Sequence, residues 1–189
     1  MEHHRGNQHF NNTWSSFRNG FHDNEAHEYY IGNQAFWYLT TLSHYILRFD
    51  MWSEDGTHIC AEFGGVAVTS EADGYALSFD EYLSGTATDG GIMSYHSGQA
   101  FGSHDNESSD SLQCATTNEA GWWYMAGDMV STPDGDVALV LCSECYVTLL
   151  TSAEGMTWAR VTSDSDFANI ALDSVVMRMR VDPRHVASE

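Results

Sequence analysis

Period-two alternation is the feature that most constrains this chain. Tyr45, Leu47, Phe49 and Met51 alternate with Arg48 and Asp50, and far downstream Val175, Met177, Met179 and Val181 alternate with Arg178 and Arg180. That spacing puts one face of a strand on a core and the other in water. His58–Phe63, Gly65–Thr69 and Tyr75–Phe79 read as further strands of a meander. Helical spacing is confined to short stretches. Phe10, Trp14, Phe17 and Phe21 share one face and predict a helix over residues 11–17, and Phe36, Leu39 and Ser43 predict a second over about 34–43. Strands and helices in this mixed order, without a βαβα rhythm, give an α+β fold: an antiparallel sheet with short helices and a loop-rich second half.

Residues 84–121 are poor in apolar side chains and rich in Gly, Ser, Thr and Asp. Long loops held on a scaffold are where function concentrates. Pro133-Asp134-Gly135 marks a turn before the apolar run Val137–Cys142. Residues 1–9 and 182–189 read as loose termini.

Charge removes several functional classes. The 189 residues carry 27 Asp plus Glu against 7 Arg and no Lys, a formal net charge of −20. Such a field repels nucleic-acid phosphates and anionic headgroups, so neither nucleic acid nor membrane is expected as a partner. The same charge also suits a surface that stays hydrated in high salt. Without Lys there is no Schiff-base or P-loop lysine. No G-x-S-x-G elbow occurs, and His22 and His27 lie outside any H-E-x-x-H pattern. No enzymatic activity is therefore expected. The longest apolar run is far short of the ~18 residues that span a bilayer. Met1-Glu2-His3-His4-Arg5 lacks the character of a signal peptide, so the expectation is a processed or partial form.

Four cysteines, Cys60, Cys114, Cys142 and Cys145, permit three fully paired connectivities. Cys142-Ser-Glu-Cys145 has metal-ligand spacing but supplies at most two zinc ligands. A structural disulfide, or buried thiols, is the better reading.

Several local patterns then occur in a fixed order: Trp14-Ser-Ser-Phe17-Arg-Asn-Gly20-Phe21, Glu28-Tyr29-Tyr30-Ile31-Gly32-Asn33, Ser70-Glu71-Ala72-Asp73-Gly74-Tyr75, His96-Ser-Gly98-Gln-Ala-Phe101, Asp105-Asn106-Glu107 before Cys114-Ala115, Gly121-Trp122-Trp123-Tyr124, and Gly155-Met-Thr-Trp158. Over about residues 10–181 the chain resembles the fibrinogen-like domain, the C-terminal globe of ficolins, tachylectins, angiopoietins and fibrinogen chains. The resemblance implies a secreted, extracellular recognition module in three parts: a truncated N-terminal subdomain over 1–27, a central sheet over 28–100 with a return strand at 174–181, and a loop-rich subdomain over 101–173, followed by a tail at 182–189.

In that family the loop-rich part holds calcium through acidic residues ahead of a cysteine. The ion wants about six to eight hard oxygens, and here Asp105, Glu107 and Asp110 are the candidates. The family's ligand pocket follows its tryptophan pair, placing Trp122, Trp123, Tyr124, Asp128, Tyr146 and Trp158 around it. Paired tryptophans can stack on sugar faces, but large aromatics also fill cores, and burial is the favoured reading for Trp122 and Trp123. Asp128 can face a cationic group or cap a turn. The Cys-His step that the family carries after its tryptophans is Gly127-Asp128 here, so Cys114 lacks its usual partner, and Cys142 or Cys145 is expected to replace it. Asn11-Asn12-Thr13 and Asn106-Glu107-Ser108 are glycosylation sequons at Asn11 and Asn106. The reading is a calcium-assisted module for carbohydrate or extracellular protein. An oligomeric or structural assembly subunit with a degenerate pocket is the alternative.

Overall fold

Residues 1–5, 10–87, 93, 96–107, 113–124, 148–150, 156–163 and 166–185 are described by the computed structural model, with the backbone alone at 148–149, 157–163 and 166–169. In chain order the elements are β1 (Glu2–His4), α1 (Trp14–Asn19), β2 (Phe21–Asp23), β3 (Glu28–Tyr30), α2 (Asn33–Leu42), β4 (Tyr45–Ser53), β5 (His58–Val68), β6 (Leu77–Ser78), β7 (Glu81–Gly85), α3 (Cys114–Thr117), β8 (Thr148–Leu149), β9 (Met156–Ser163) and β10 (Asp166–Val181). Short 3-10 turns lie at Glu71–Asp73 and Pro183–His185.

The described strands join one sheet in the order β2-β3-β1-β10-β4-β5-β6, with β7 on β5, β9 on β10 and β8 on β9. β10 and β4 pair antiparallel from Leu172↔Ser53 to Val181↔Tyr45. The two alternating stretches are therefore direct neighbours. Their apolar sides meet the core, where Leu47, Phe49, Met51 and Val175 are fully buried. Their polar sides share ion pairs: Asp50 accepts from Arg48 and Arg178, and Glu62 from Arg48 and Arg180.

The helices sit close to their predicted positions, and capping explains the offsets. α1 starts at Trp14 because the Thr13 hydroxyl accepts the Ser16 N–H. It stops at Gly20, whose φ of 86° favours glycine. A Cβ on Gly20 would press on the carbonyl oxygens of Tyr30 and Ile31, so the chain following α1 passes hard against the end of β3. Phe10 and Phe21 lie outside α1, yet both still reach Phe17's cluster: the Phe10–Phe21 and Phe17–Phe21 ring centroids are 5.0 and 5.4 Å apart.

Three expectations are corrected. Residues 2–4 are a paired strand, with Glu2 opposite Val176 and Tyr29, so the start of the chain is not loose. There the buried His3 Nδ1 lies 2.8 Å from the Glu28 carboxylate, which also accepts the His4 N–H. At the other end, the Asp182 N–H donates to the His44 carbonyl and Pro183–His185 form a turn. The stretches 58–63 and 65–69 are one strand, β5, which crosses Gly65 at φ 66° without a break. β9 and the first half of β10, counted with the loop-rich part by sequence, extend the same sheet.

Phe17 locks α1 to the rest of the fold. It is fully buried, with Phe101 at 4.9 Å and Tyr30 at 5.5 Å between ring centroids. Phe17→Ala is expected to lower the unfolding free energy by about 3–5 kcal/mol, read from the urea midpoint at unchanged m-value.

Candidate functional site

The acidic stretch ahead of Cys114 is built as a clasp between two helices. Asp105 Oδ1 accepts the backbone N–H of Trp14, the first residue of α1, at 2.7 Å, and the Ser103 hydroxyl at 2.8 Å. Partial burial pushes this carboxyl up, but these donors outweigh it and leave the group below its ordinary value. Glu107 does the same at α3. Its two oxygens accept the N–H groups of Ala115 and Thr116 at 3.2 and 2.9 Å, and the Thr116 hydroxyl at 2.7 Å. Gln113, in the cap position of α3, makes no side-chain cap bond, so Glu107 satisfies the orphan donors from upstream. A turn in which Ser103 and Asn106 exchange backbone bonds sets the spacing of the two carboxylates.

A second carboxylate braces α1 from the other side. Glu71 accepts the Trp14 indole N–H at 3.1 Å and Arg18 Nε at 2.9 Å, and these bonds lower its pKa. Trp14 is thus tied at its backbone to the loop at 105 and at its side chain to the turn at 71.

Behind the clasp lie the tryptophans. Gly102 and Trp122 form an antiparallel bridge with bonds of 2.8 and 3.0 Å. Trp122, Trp123 and Tyr124 are buried, at 1%, 0% and 2% exposure. The Trp123 indole donates to the Tyr75 carbonyl at 2.8 Å, and the Tyr124 hydroxyl to the Ala120 carbonyl at 2.8 Å. Phe101 packs edge-on against Trp123 at 5.1 Å. Gly121 is where Phe17 approaches: a Cβ there would lie 2.3 Å from the Phe17 ring. These aromatics hold the subdomain to the sheet and present no face on which a sugar could stack.

His96 completes the core. It is fully buried, its Nδ1 lies 2.9 Å from the Trp123 carbonyl, and its Nε2 makes no hydrogen bond. Burial lowers its pKa to about 4 against the partial opposition of that bond, so it is neutral at pH 7, with Nδ1 carrying the proton as the donor.

Of the metal candidates, Asp105 and Glu107 are neighbours, but their carboxylates are spent on helix N–H groups, and Asp110 lies outside the described residues. Among the described residues no group of three His, Cys, Asp or Glu is placed to hold a metal ion. Asp128, Tyr146, Cys142 and Cys145 also lie outside the described residues, and Trp158 is placed by backbone alone, opposite Ile170 and Thr148. Both sequon asparagines, Asn11 and Asn106, are exposed. The capping roles of Asp105 and Glu107 and the bracing role of Glu71 were not readable in advance. Asp105 reaches a partner 91 residues away, and no local motif announces such a bond.

A curled antiparallel sheet with short helices, carrying a C-terminal segment clasped to its first helix, defines a fibrinogen-like globe. The family described as fibrinogen beta and gamma chains, C-terminal globular domain, matches residues 1–181, and the chain belongs to it. Human ficolin-3 is 32% identical over 120 residues, covering 63% of this chain and 39% of ficolin-3. Bovine fibrinogen-like protein 1 is 31% identical over 132 residues, covering 63% of this chain and 42% of that protein. The chain thus spans about two fifths of the length of these curated relatives. The fibrinogen-like globe domain of human ANGPTL6 superposes with a TM-score of 0.70 at 24% identity, covering 96% of this chain and 76% of that one. Lamprey fibrin D-dimer, solved with the peptide Gly-His-Arg-Pro-amide, gives 0.68 at 24% identity, covering 100% and 63%. No described helix is long and apolar enough to cross a membrane.

The buried His96 predicts a pH dependence. Its folded pKa lies below the ordinary 6.5, so the unfolded chain binds the proton more tightly and stability falls as pH drops from 6.5 toward 4. The expected loss is at most about 1.4 kcal/mol per pH unit. In His96→Asn, whose amide can keep the bond to the Trp123 carbonyl, urea titrations at pH 7, 5.5 and 4.5 should lack that component.

Proposed function

We propose that this chain is a secreted, non-enzymatic recognition domain that binds carbohydrate or an extracellular protein through its C-terminal region, residues 101–160. The observation that carries the reading is the clasp. Asp105 and Glu107 fasten the start of that region to α1 and α3, the Gly102–Trp122 bridge joins its two stretches, and the Trp123 indole bond to the Tyr75 carbonyl ties it beside β6, so the chain leaves Tyr124 from a fastened base. Recognition loops need such a base. Membership of a family that includes a ficolin, and likeness to a fibrin fragment solved with a peptide, supports this class of role over catalysis.

The tryptophan pair supports the scaffold rather than the contact. Ligand contacts fall instead to the segment after Tyr124, which contains Asp128 and Tyr146. This reading gives calcium no structural duty at Asp105 and Glu107, because neighbouring N–H and hydroxyl donors already engage Asp105 Oδ1 and both Glu107 oxygens. Binding to a glycan array or to N-terminal peptides is therefore expected to survive EDTA with less than a twofold change. Loss of all binding in EDTA would show that calcium holds the site. Silence on every glycan and peptide would leave the alternative reading, an assembly subunit with a degenerate pocket.

The disulfide belongs to the same reading. Cys114 is buried and disulfide-bonded, and Cys60 is a free thiol. We assign the partner of Cys114 to Cys142 or Cys145, which would pin the segment after Tyr124 to α3. Intact mass after alkylation without reduction is expected to show two modified thiols. Four would exclude the bond.

A further inference from the structure

Asn19-Gly20 is the only Asn-Gly step in the sequence. Such a step is chemically unstable in water. The backbone nitrogen after the asparagine can attack the side-chain carbonyl carbon, and glycine, without a Cβ, leaves that approach open. Here the step sits at the end of α1, where Asn19 is the last helical residue and is exposed. Its amide is loosely engaged: Nδ2 donates to the Ser15 hydroxyl and Oδ1 accepts from Arg18, both at 3.4 Å. The backbone, by contrast, is held firmly. The Gly20 N–H donates to the Ser16 carbonyl at 2.8 Å, which occupies the attacking nitrogen. Gly32 packs on the same peptide: a Cβ there would lie 2.6 Å from the Gly20 nitrogen and 2.7 Å from the Asn19 carbonyl carbon. Attack therefore requires the last turn of α1 to open. With six residues α1 does not stand alone. It is kept closed by Asp105 on the Trp14 N–H and by Glu71 on the Trp14 indole and Arg18.

We propose that Asn19 is a site of slow self-modification, deamidation through a succinimide, and that the clasp on α1 sets its rate. When α1 opens, the Gly20 nitrogen gives its proton to water and bonds to Asn19 Cγ. The Cγ–Nδ2 bond breaks, and Nδ2 leaves as ammonia. Water then opens the ring at one of its two carbonyls, giving aspartate or isoaspartate. In isoaspartate the main chain runs through the side-chain carbons and gains one atom. That atom enters where Gly20 and Gly32 already meet too closely for a methyl group. The end of α1 then has no fit against Gly32, and Trp14 loses its seat on Asp105. The modification is a one-way loosening of the tie between α1 and the region after Phe101. It also adds a negative charge to a chain already at −20. The chemistry does not depend on what that region binds.

Peptide mapping by mass spectrometry tests this on the whole chain, held in mildly alkaline buffer and sampled over time. The folded chain is expected to convert at Asn19 about tenfold or more slowly than the same chain in urea. Glu71→Ala and Asp105→Ala, each with its urea midpoint measured to confirm folding, are expected to speed conversion about threefold or more. Val175→Ala, a core change in β10, controls for global unfolding and should leave the rate within about twofold. Hydrogen exchange on the isoaspartate form, separated by ion exchange, should show the Trp14 amide losing protection. Equal rates in the folded and the urea-unfolded chain overturn the proposal. So do clasp variants that convert at the wild-type rate, or acceleration by Val175→Ala as large as theirs. An isoaspartate form that keeps the Trp14 amide protected overturns the loosening.

Discussion

The pairing of β10 with strands from both ends of the chain is the constraint on which the rest of the structure depends. Asp166–Val181 holds β9 along its first half, β4 along its second, and β1 at its centre. Closing contacts between residues so far apart in sequence is entropically costly. The cost is offset by burial, because the inner face of β10 carries Val175 and Met177 into the main apolar cluster. Once β10 is seated, β4 and β5 define the sheet, and the N-terminal strand is caught between β10 and β3.

The second organising device is electrostatic but local. Most of the described carboxylates are exposed. A few are used as rigid acceptors for backbone N–H groups. Asp105 and Glu107 serve two short helices that are not self-sufficient: α1 has six residues and α3 four. Glu71 adds the bond to the Trp14 indole. The effect is to bind the region after Phe101 to the region around Trp14, so a loop-rich segment gains the stiffness that selective binding requires.

Alternation at 45–51 and 175–181, the helical spacing of Phe10 to Phe21, and the ordered aromatic and glycine patterns made the fold class and family legible in the sequence, because each reports a local period or a local turn. Burial of Trp122 and Trp123 was also readable, since rings of that size are the cheapest way to fill a core. The fates of Asp105 and Glu107 were not: as letters they match metal ligands, and only the approach of α1 from 91 residues away made one of them a helix acceptor. Nor could the sequence place residues 2–4, a polar stretch that becomes a strand only because β10 and β3 leave edges to pair with. Local periodicity, written in neighbouring residues, determined which segments are strands and helices. Which carboxylates cap helices and which rings are hidden depend on contacts between distant segments, and those exist only once the chain has closed on itself.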